Sequence, residues 1–460
     1  MYNMVLLAIE WASIGTKVLQ FILSFSILVV LHELGHFLPA RWFKCRVEKF
    51  YLFFNPWFSL FKKKIGETEY GLGWIPFGGY VKISGMIDES MDKEQMQQAP
   101  QPWEFRSKPA WQRLIIMLGG VTVNVLLAFA IFIMIMWIWG DRYVPVSNLK
   151  YGLYADSLGR KIGMKDGDNI IAVAGKPIER HGSAGSEIIM NEAKTITVLR
   201  DGKPVELTVP PGVIGQLNKN RLLGLALVRY PDVVDSVMPW SKILKGDVRK
   251  GDTLIGIDGH PIQYLSDLIK DTTFDYIKDE KVVSLTYLRN GHDTVQVQIQ
   301  RNEKEKGALG LHYKPMEDIL GSVHVTYTFW QAIPAGVNKA METLSNYIRN
   351  LKLLFTSKEV KAQDSLGSVI SIASIFPSTW DWQSFWTLTG IFSILLAFMN
   401  VLPIPALDGG HALFTLVEMI SGRKPSDKFI EYAQMVGMVL LFSLMAYALG
   451  LDIFHAFKFK

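Results

Sequence analysis

A single cysteine in 460 residues, Cys45, excludes an internal disulfide and any metal site built from thiolates. A metal held by this chain must take histidine and carboxylate ligands. There is no excess of one charge either: 48 Lys and Arg stand against 43 Asp and Glu, net +5, too even for a nucleic-acid binder. The chain also lacks a low-complexity tract and a phosphate-binding glycine loop. Charged residues make up only 20% of the sequence while 49% is hydrophobic, and the mean hydropathy is +0.18. Such a balance excludes an ordinary soluble multidomain protein.

What is present is clustered. Leu114 to Trp139 and Trp382 to Leu407 are each 26 residues without a charged side chain, and Ala433 to Leu451 is another 19. Each is long enough as a helix to cross a hydrocarbon core of about 30 Å. A fourth apolar stretch begins at Val18 and continues into His32, Glu33 and His36. Three ionisable residues where a signal peptide would carry its cleavage site argue for a retained first span. The loop after it is rich in Lys and Arg, from Arg41 and Lys44 to Lys108 and Arg113, so the positive-inside rule makes it cytoplasmic. The segment from about Asp141 to Asp381 then falls on the outer face.

That outer segment repeats itself. Gly167-Asp168 through Pro177-Ile178 aligns with Gly251-Asp252 through Pro261-Ile262, and Leu199-Arg200 followed by an Asp-Gly turn aligns with Leu288-Arg289 followed by Asn-Gly. Each copy reads as strand, turn, helix and hairpin. The pattern resembles the PDZ domains of bacterial envelope proteases, with two copies at 144–228 and 229–314; Ser236 to Ser241 sits where such domains carry a second strand and a helix. Elsewhere, Gly66 to Met86 combines strand formers with many glycines and suits a β-hairpin dipping into the membrane face. Residues 327–357 read as an amphipathic helix.

The chemistry concentrates in His32-Glu33-Leu34-Gly35-His36. On a helix, histidines four apart share one face and reach one metal, while the intervening glutamate leans beside it to hold a water. Two histidines do not complete a catalytic site, which takes three protein ligands plus a water. Asp408 is the only other acidic residue at comparable membrane depth, and His411 one turn on competes with it. Pro403 and Pro405 break the third span there and make room for a metal cavity. Asn400 either satisfies backbone groups freed by the break or, as an amide near the metal, holds a substrate main chain.

These motifs, His-Glu-x-x-His in the first span, Asn-x-x-Pro-x-Pro-x-Leu-Asp-Gly in the third, a Gly-x-Gly and Phe-Gly-Gly-Tyr-Val-Lys hairpin between spans one and two, and tandem PDZ-like domains, resemble the bacterial site-2 proteases. The type with tandem PDZ domains, the regulator of sigma-E protease, is most similar. One departure is Leu366-Gly367-Ser368-Val369, where that family usually has Gly-Pro.

The resemblance implies a polytopic α-helical membrane protein with four transmembrane helices, a membrane-associated β-hairpin and two PDZ-like α+β domains. The divisions are a first transmembrane helix within 1–40, a cytoplasmic loop at 41–112 with the hairpin at 66–86, and a second helix at 113–140. After the PDZ-like domains and the amphipathic helix come a third transmembrane segment at 382–420 and a fourth helix at 430–452. It implies one Zn2+ per chain held by His32, His36 and Asp408, with Glu33 as the base. Asn400 and the strand Gly78, Gly79, Tyr80, Val81, Lys82 and Ile83 would bind substrate.

The implied location is the bacterial inner membrane with the PDZ domains on the periplasmic side. The implied activity is intramembrane proteolysis in an envelope stress response. Substrates would be single-pass membrane proteins of the anti-sigma factor type and signal-peptide remnants, with peptide or protein tails engaged at the PDZ domains. A noncatalytic zinc-binding scaffold or a metal-permeation protein is the alternative.

Overall fold

The computed structural model describes residues 2–86, 99–219, 225–264, 266–267, 281–301, 309–361, 363 and 368–458. Two compact units emerge: one of 1–140, 326–349 and 366–460, the other of 141–325 and 350–365. In the first, helix α1 (Tyr2–Trp42) leads to strands β1 (Val47–Phe54), β2 (Phe61–Ile65), β3 (Thr68–Leu72) and β4 (Ile75–Ile83), then to α2 (Ala110–Ile138). The four strands form one sheet in the order β2-β3-β1-β4. β1 runs parallel to β3 and antiparallel to β4, with Tyr51 opposite Tyr80. The hairpin expected from Gly66 to Met86 is therefore corrected: β3 and β4 do not pair with each other, because β1 lies between them. The consequence is that β4 has one paired edge and, among the described residues, one free edge.

Helices α1 and α2 cross backbone to backbone. A methyl group placed on Gly119 would stand 2.0 Å from the Gly35 carbonyl oxygen, so only glycine fits there. Pro39, four residues after Gly35, brings no N–H to that carbonyl. Small residues at such a crossing substitute packing for the hydrophobic drive that is missing between helices in lipid.

The second unit holds β5 (Asp141–Tyr143), β6 (Leu153–Ala155), α3 (Ser157–Ile162), β7 (Asn169–Val173), β8 (Lys176–Pro177), α4 (Ser183–Met190), β9 (Thr195–Arg200), β10 (Lys203–Thr208), α5 (Val213–Lys219) and β11 (Ala226–Val228). It continues with β12 (Val234–Val237), β13 (Lys242–Lys245), β14 (Thr253–Ile257), β15 (His260–Pro261), β16 (Val282–Arg289), β17 (Asp293–Gln300), β18 (Leu311–Tyr313), α6 (Met316–Leu320) and β19 (Val323–Val325). Sheet β10-β9-β7-β8 with the pair β11-β6 is matched by sheet β13-β17-β16-β14-β15 with the pair β12-β18. Of the strand and helix expected at Ser236 to Ser241, the strand is the end of β12, while the helix is instead a turn from Met238 to Ser241 into strand β13, which pairs with β17.

The repeated aspartate and arginine find each other in both sheets. Arg200 reaches Asp168 at 2.7 Å and Arg289 reaches Asp252 at 2.7 Å, while each carboxylate also accepts a backbone N–H at 2.8 Å, from Lys165 and Arg249. Arg289 holds the Asp252 carboxyl below the usual carboxylate range. Burial pushes Asp168 the other way, and Arg200 with the Lys165 N–H overcomes it.

The remaining elements are α7 (Phe329–Thr356), α8 (Val369–Ser374), α9 (Trp382–Val401), α10 (Asp408–Ser421) and α11 (Asp427–Lys458). Ser368, the departure from the family's proline, caps α8 by accepting the Ile370 N–H, and its own N–H donates to Asp452 at 3.0 Å. Four helical stretches among the described residues are long and apolar enough to cross a membrane: Ala12–Trp42, Ala110–Ile138, Trp382–Val401 and Lys428–Phe454. The third expected segment, 382–420, is two helices, since Pro403 and Pro405 end α9 and α10 is too short to span.

Candidate metal centre

α1 presents His32 and His36 on one face, and the break between α9 and α10 brings Asp408 to them. Asp408 Oδ2 lies 3.2 Å from His32 Nε2 and 3.3 Å from His36 Nε2, and the two Nε2 atoms are 3.2 Å apart. A tetrahedral ion with ligand bonds of about 2.0–2.1 Å has ligand separations of about 3.3 Å, so this triangle has the dimensions of one face of such a site. Asp408 Oδ2 is buried and accepts no hydrogen bond among the described residues. Room has also been kept: a methyl on Gly120 would stand 2.4 Å from His36 Nε2 and 2.6 Å from His32 Cε1.

The polypeptide orients both rings. His36 Nδ1 is 2.8 Å from the Ile116 carbonyl oxygen. A carbonyl only accepts, so Nδ1 carries the hydrogen and Nε2 keeps the lone pair that a metal uses. His32 Nδ1 is 3.0 Å from the side-chain amide of Asn124 on α2, whose Oδ1 is buried without a partner. Presenting that oxygen to His32 would satisfy it with the Nδ1–H and free Nε2 in the same way. Sequence reasoning passed over Asn124, although one primary amide inside the apolar run Leu114 to Trp139 was the available signal.

The loop carrying Asp408 is held by glycines. Methyls on Gly409 and Gly410 would meet the Leu402 and Ile404 carbonyl oxygens at 2.3 and 2.6 Å, so α10 can start tight against the broken end of α9. Ala406 in this turn has φ +89°, a left-handed backbone that the two prolines and the packing enforce. Asn400, on the last turn of α9, has Nδ2 3.4 Å from His32 Nε2.

A cavity of 530 Å3 adjoins the triangle, and His32, Glu33, His36 and Asp408 line it together with Gly79, Tyr80, Val81, Lys82 and Ile83 of β4. A methyl on Gly79 would touch the Glu33 side chain at 3.6 Å, which measures how near β4 passes to the metal face. Lys82 also pairs with Glu48 at 3.4 Å. Gly78 is not among the cavity-lining residues; its φ of +111° is a conformation that glycine tolerates. His411 lines the cavity but is not part of the three-residue cluster.

The family model for peptidase family M50 matches residues 20–444. A protein of Neisseria meningitidis, named by inference a zinc metalloprotease, is 28% identical over 95% of this chain and 98% of its own length. Similarly named proteins of Ralstonia nicotianae and Treponema pallidum are 27% and 25% identical, over 96% and 92% of this chain and 98% and 96% of theirs. With the family match running through both metal-site motifs and all four apolar helices, this chain belongs to peptidase family M50, the site-2 protease family.

Proposed function

We propose that the chain is a zinc-dependent intramembrane endopeptidase in which His32, His36 and Asp408 hold the metal and Glu33 is the general base. The observation that carries this reading is the triangle of two ring nitrogens and a carboxylate oxygen beside a strand edge unpaired among the described residues, with both histidines on a helix of membrane-spanning length. Zinc, when bound, supplies Lewis-acid chemistry that polarises a scissile carbonyl and acidifies a water molecule. Glu33 accepts the proton of the attacking water and returns it to the leaving amine, so the carboxylate ends each turnover as it began. Asn400 holds a nearby substrate carbonyl through its amide. A helical substrate keeps its carbonyls in i to i−4 bonds; the free edge of β4 from Tyr80 to Ile83 offers replacement partners as the helix unwinds.

The matched sheets of the second unit support two PDZ-like domains, which in this reading lie on the periplasmic side of the inner membrane. There they engage peptide or protein tails and select single-pass substrates of the anti-sigma factor type and signal-peptide remnants, in regulated proteolysis of an envelope stress response.

The test uses the purified full chain in detergent with a single-span substrate. Cleavage should stop with a zinc chelator, and Glu33→Gln should lower turnover by about 10²–10⁴-fold with zinc still bound by metal analysis. A Glu33→Gln protein that cleaves at the native rate removes Glu33 from the mechanism. Absence of any cleavage by the native chain would favour the noncatalytic scaffold or permeation alternative.

A further inference from the structure

The cavity beside the metal triangle has a wall that the proposed mechanism leaves unused. Gln434, on the second turn of α11, is only 3% exposed, lines this cavity, and its Oε1 accepts no hydrogen bond among the described residues. A buried amide in a membrane span is costly without a partner, and most of α11 around it is apolar and exposed: Val436, Val439, Leu440 and Phe442. Its place is fixed by backbone packing. A methyl on Gly437, one turn further along the same face, would stand 1.6 Å from the Pro405 carbonyl oxygen, so glycine lets α11 rest directly on the turn that carries Asp408.

We propose that Gln434 is a substrate main-chain clamp: its amide hydrogen-bonds the extended peptide segment whose other edge pairs with β4. A primary amide offers an acceptor and two donors, the complement of one C=O and one N–H of an extended chain. The free edge of β4 and Gln434 border the same cavity, so a strand laid along Tyr80 to Ile83 has its remaining backbone groups available to Gln434. A backbone partner there serves any sequence, which suits an enzyme that must hold side chains selected for a lipid environment. This inference rests on the protease reading and adds a second binding wall to it.

The probe is a fluorescent synthetic single-span peptide with a Gly-Pro pair at its centre, titrated onto full-length Glu33→Gln protein so that nothing is cut. Adding Gln434→Leu should weaken binding by about tenfold, the effect of losing one or two modest hydrogen bonds. Zinc content should be unchanged and the melting temperature no lower, since a buried unpartnered amide has been replaced by an apolar group of similar size. Peptides carrying an amide-to-ester replacement at successive central positions locate the contact: at one position the ester should weaken binding to the protein that keeps Gln434 and cost the Gln434→Leu variant nothing further.

Equal affinity of the two proteins, or esters that cost both alike at every position, would overturn the clamp. A fall in melting temperature with unchanged affinity would make Gln434 a structural residue and overturn it too. If the peptide fails to bind Glu33→Gln protein with Gln434 intact, the protease reading fails and the clamp fails with it.

Discussion

Asn124 meets His32 across 92 residues of sequence, its amide 3.0 Å from Nδ1 of the imidazole. Nothing else among the described residues hydrogen-bonds that ring nitrogen, whereas Asn124 is itself anchored through its carbonyl, which accepts the Ser393 hydroxyl at 2.7 Å. The contact therefore joins three helices, α1, α2 and α9, at one imidazole.

Asn124→Leu should leave the helices packed but loosen the metal by about 10–100-fold, the usual effect of deleting a group that orients a ligating histidine. Competition between the purified variant and a chelator of known affinity measures it. Asn124→Asp, which keeps an acceptor toward Nδ1, should recover most of the loss. An Asn124→Leu protein with native zinc affinity would show that His32 is oriented without it.

Gly119 and Gly120 are neighbours with different duties. Gly119→Ala drives a methyl into the Gly35 carbonyl and should lower stability by about 1–3 kcal/mol through overpacking. Gly120→Ala drives one into the two imidazoles and should abolish zinc binding with a smaller loss of stability. Thermal unfolding and metal analysis on both variants separate the two effects; zinc-loaded Gly120→Ala would contradict this division.

Asp408→Ala should lose most of the zinc, while His411→Ala should keep it, because Asp408 Oδ2 and not the His411 ring completes the triangle. The reverse pattern in metal analysis would make His411 the third ligand.

Asp232 supplies a pH dependence in the second unit. It is buried, its Oδ2 accepts no hydrogen bond among the described residues, and burial together with the Asp267 carboxylate pushes its pKa up to about 6. A carboxyl raised on folding binds its proton more tightly in the folded state. It costs nothing below its ordinary value near 3.8, and the cost grows as pH rises toward about 6. Asp232→Asn should therefore raise stability of the second unit at pH 7 by roughly 1–3 kcal/mol and change nothing below about pH 4, read by calorimetry on the full chain. A lower melting temperature for Asp232→Asn at pH 7 would reverse the sign.

The four apolar helices are legible in the sequence because a span declares itself by length and the absence of charge. The repeated Asp168 with Arg200 and Asp252 with Arg289 are visible as a repeat, but that each aspartate pairs with the arginine of its own copy needs the register of the sheets. The pairing of β4 is not legible: Gly66 to Met86 has hairpin composition, and the insertion of β1, parallel to β3 and antiparallel to β4, leaves no local signal. His32 and His36 follow from helical spacing, and the prolines before Asp408 announce a broken helix. Asn124, Gly120 and Gln434 escape notice because one amide or one glycine in a span acquires meaning only from what packs against it.

The metal triangle draws His36 and Asp408 from positions 372 residues apart, 408 minus 36. A ribosome adding about 5–20 residues per second needs about 20–75 s to cover that distance. Throughout that interval the growing chain has His32, Glu33 and His36 but not Asp408. The triangle therefore closes only after the turn between α9 and α10 has been made, so a chain stopped anywhere before Asp408 holds two of its three corners.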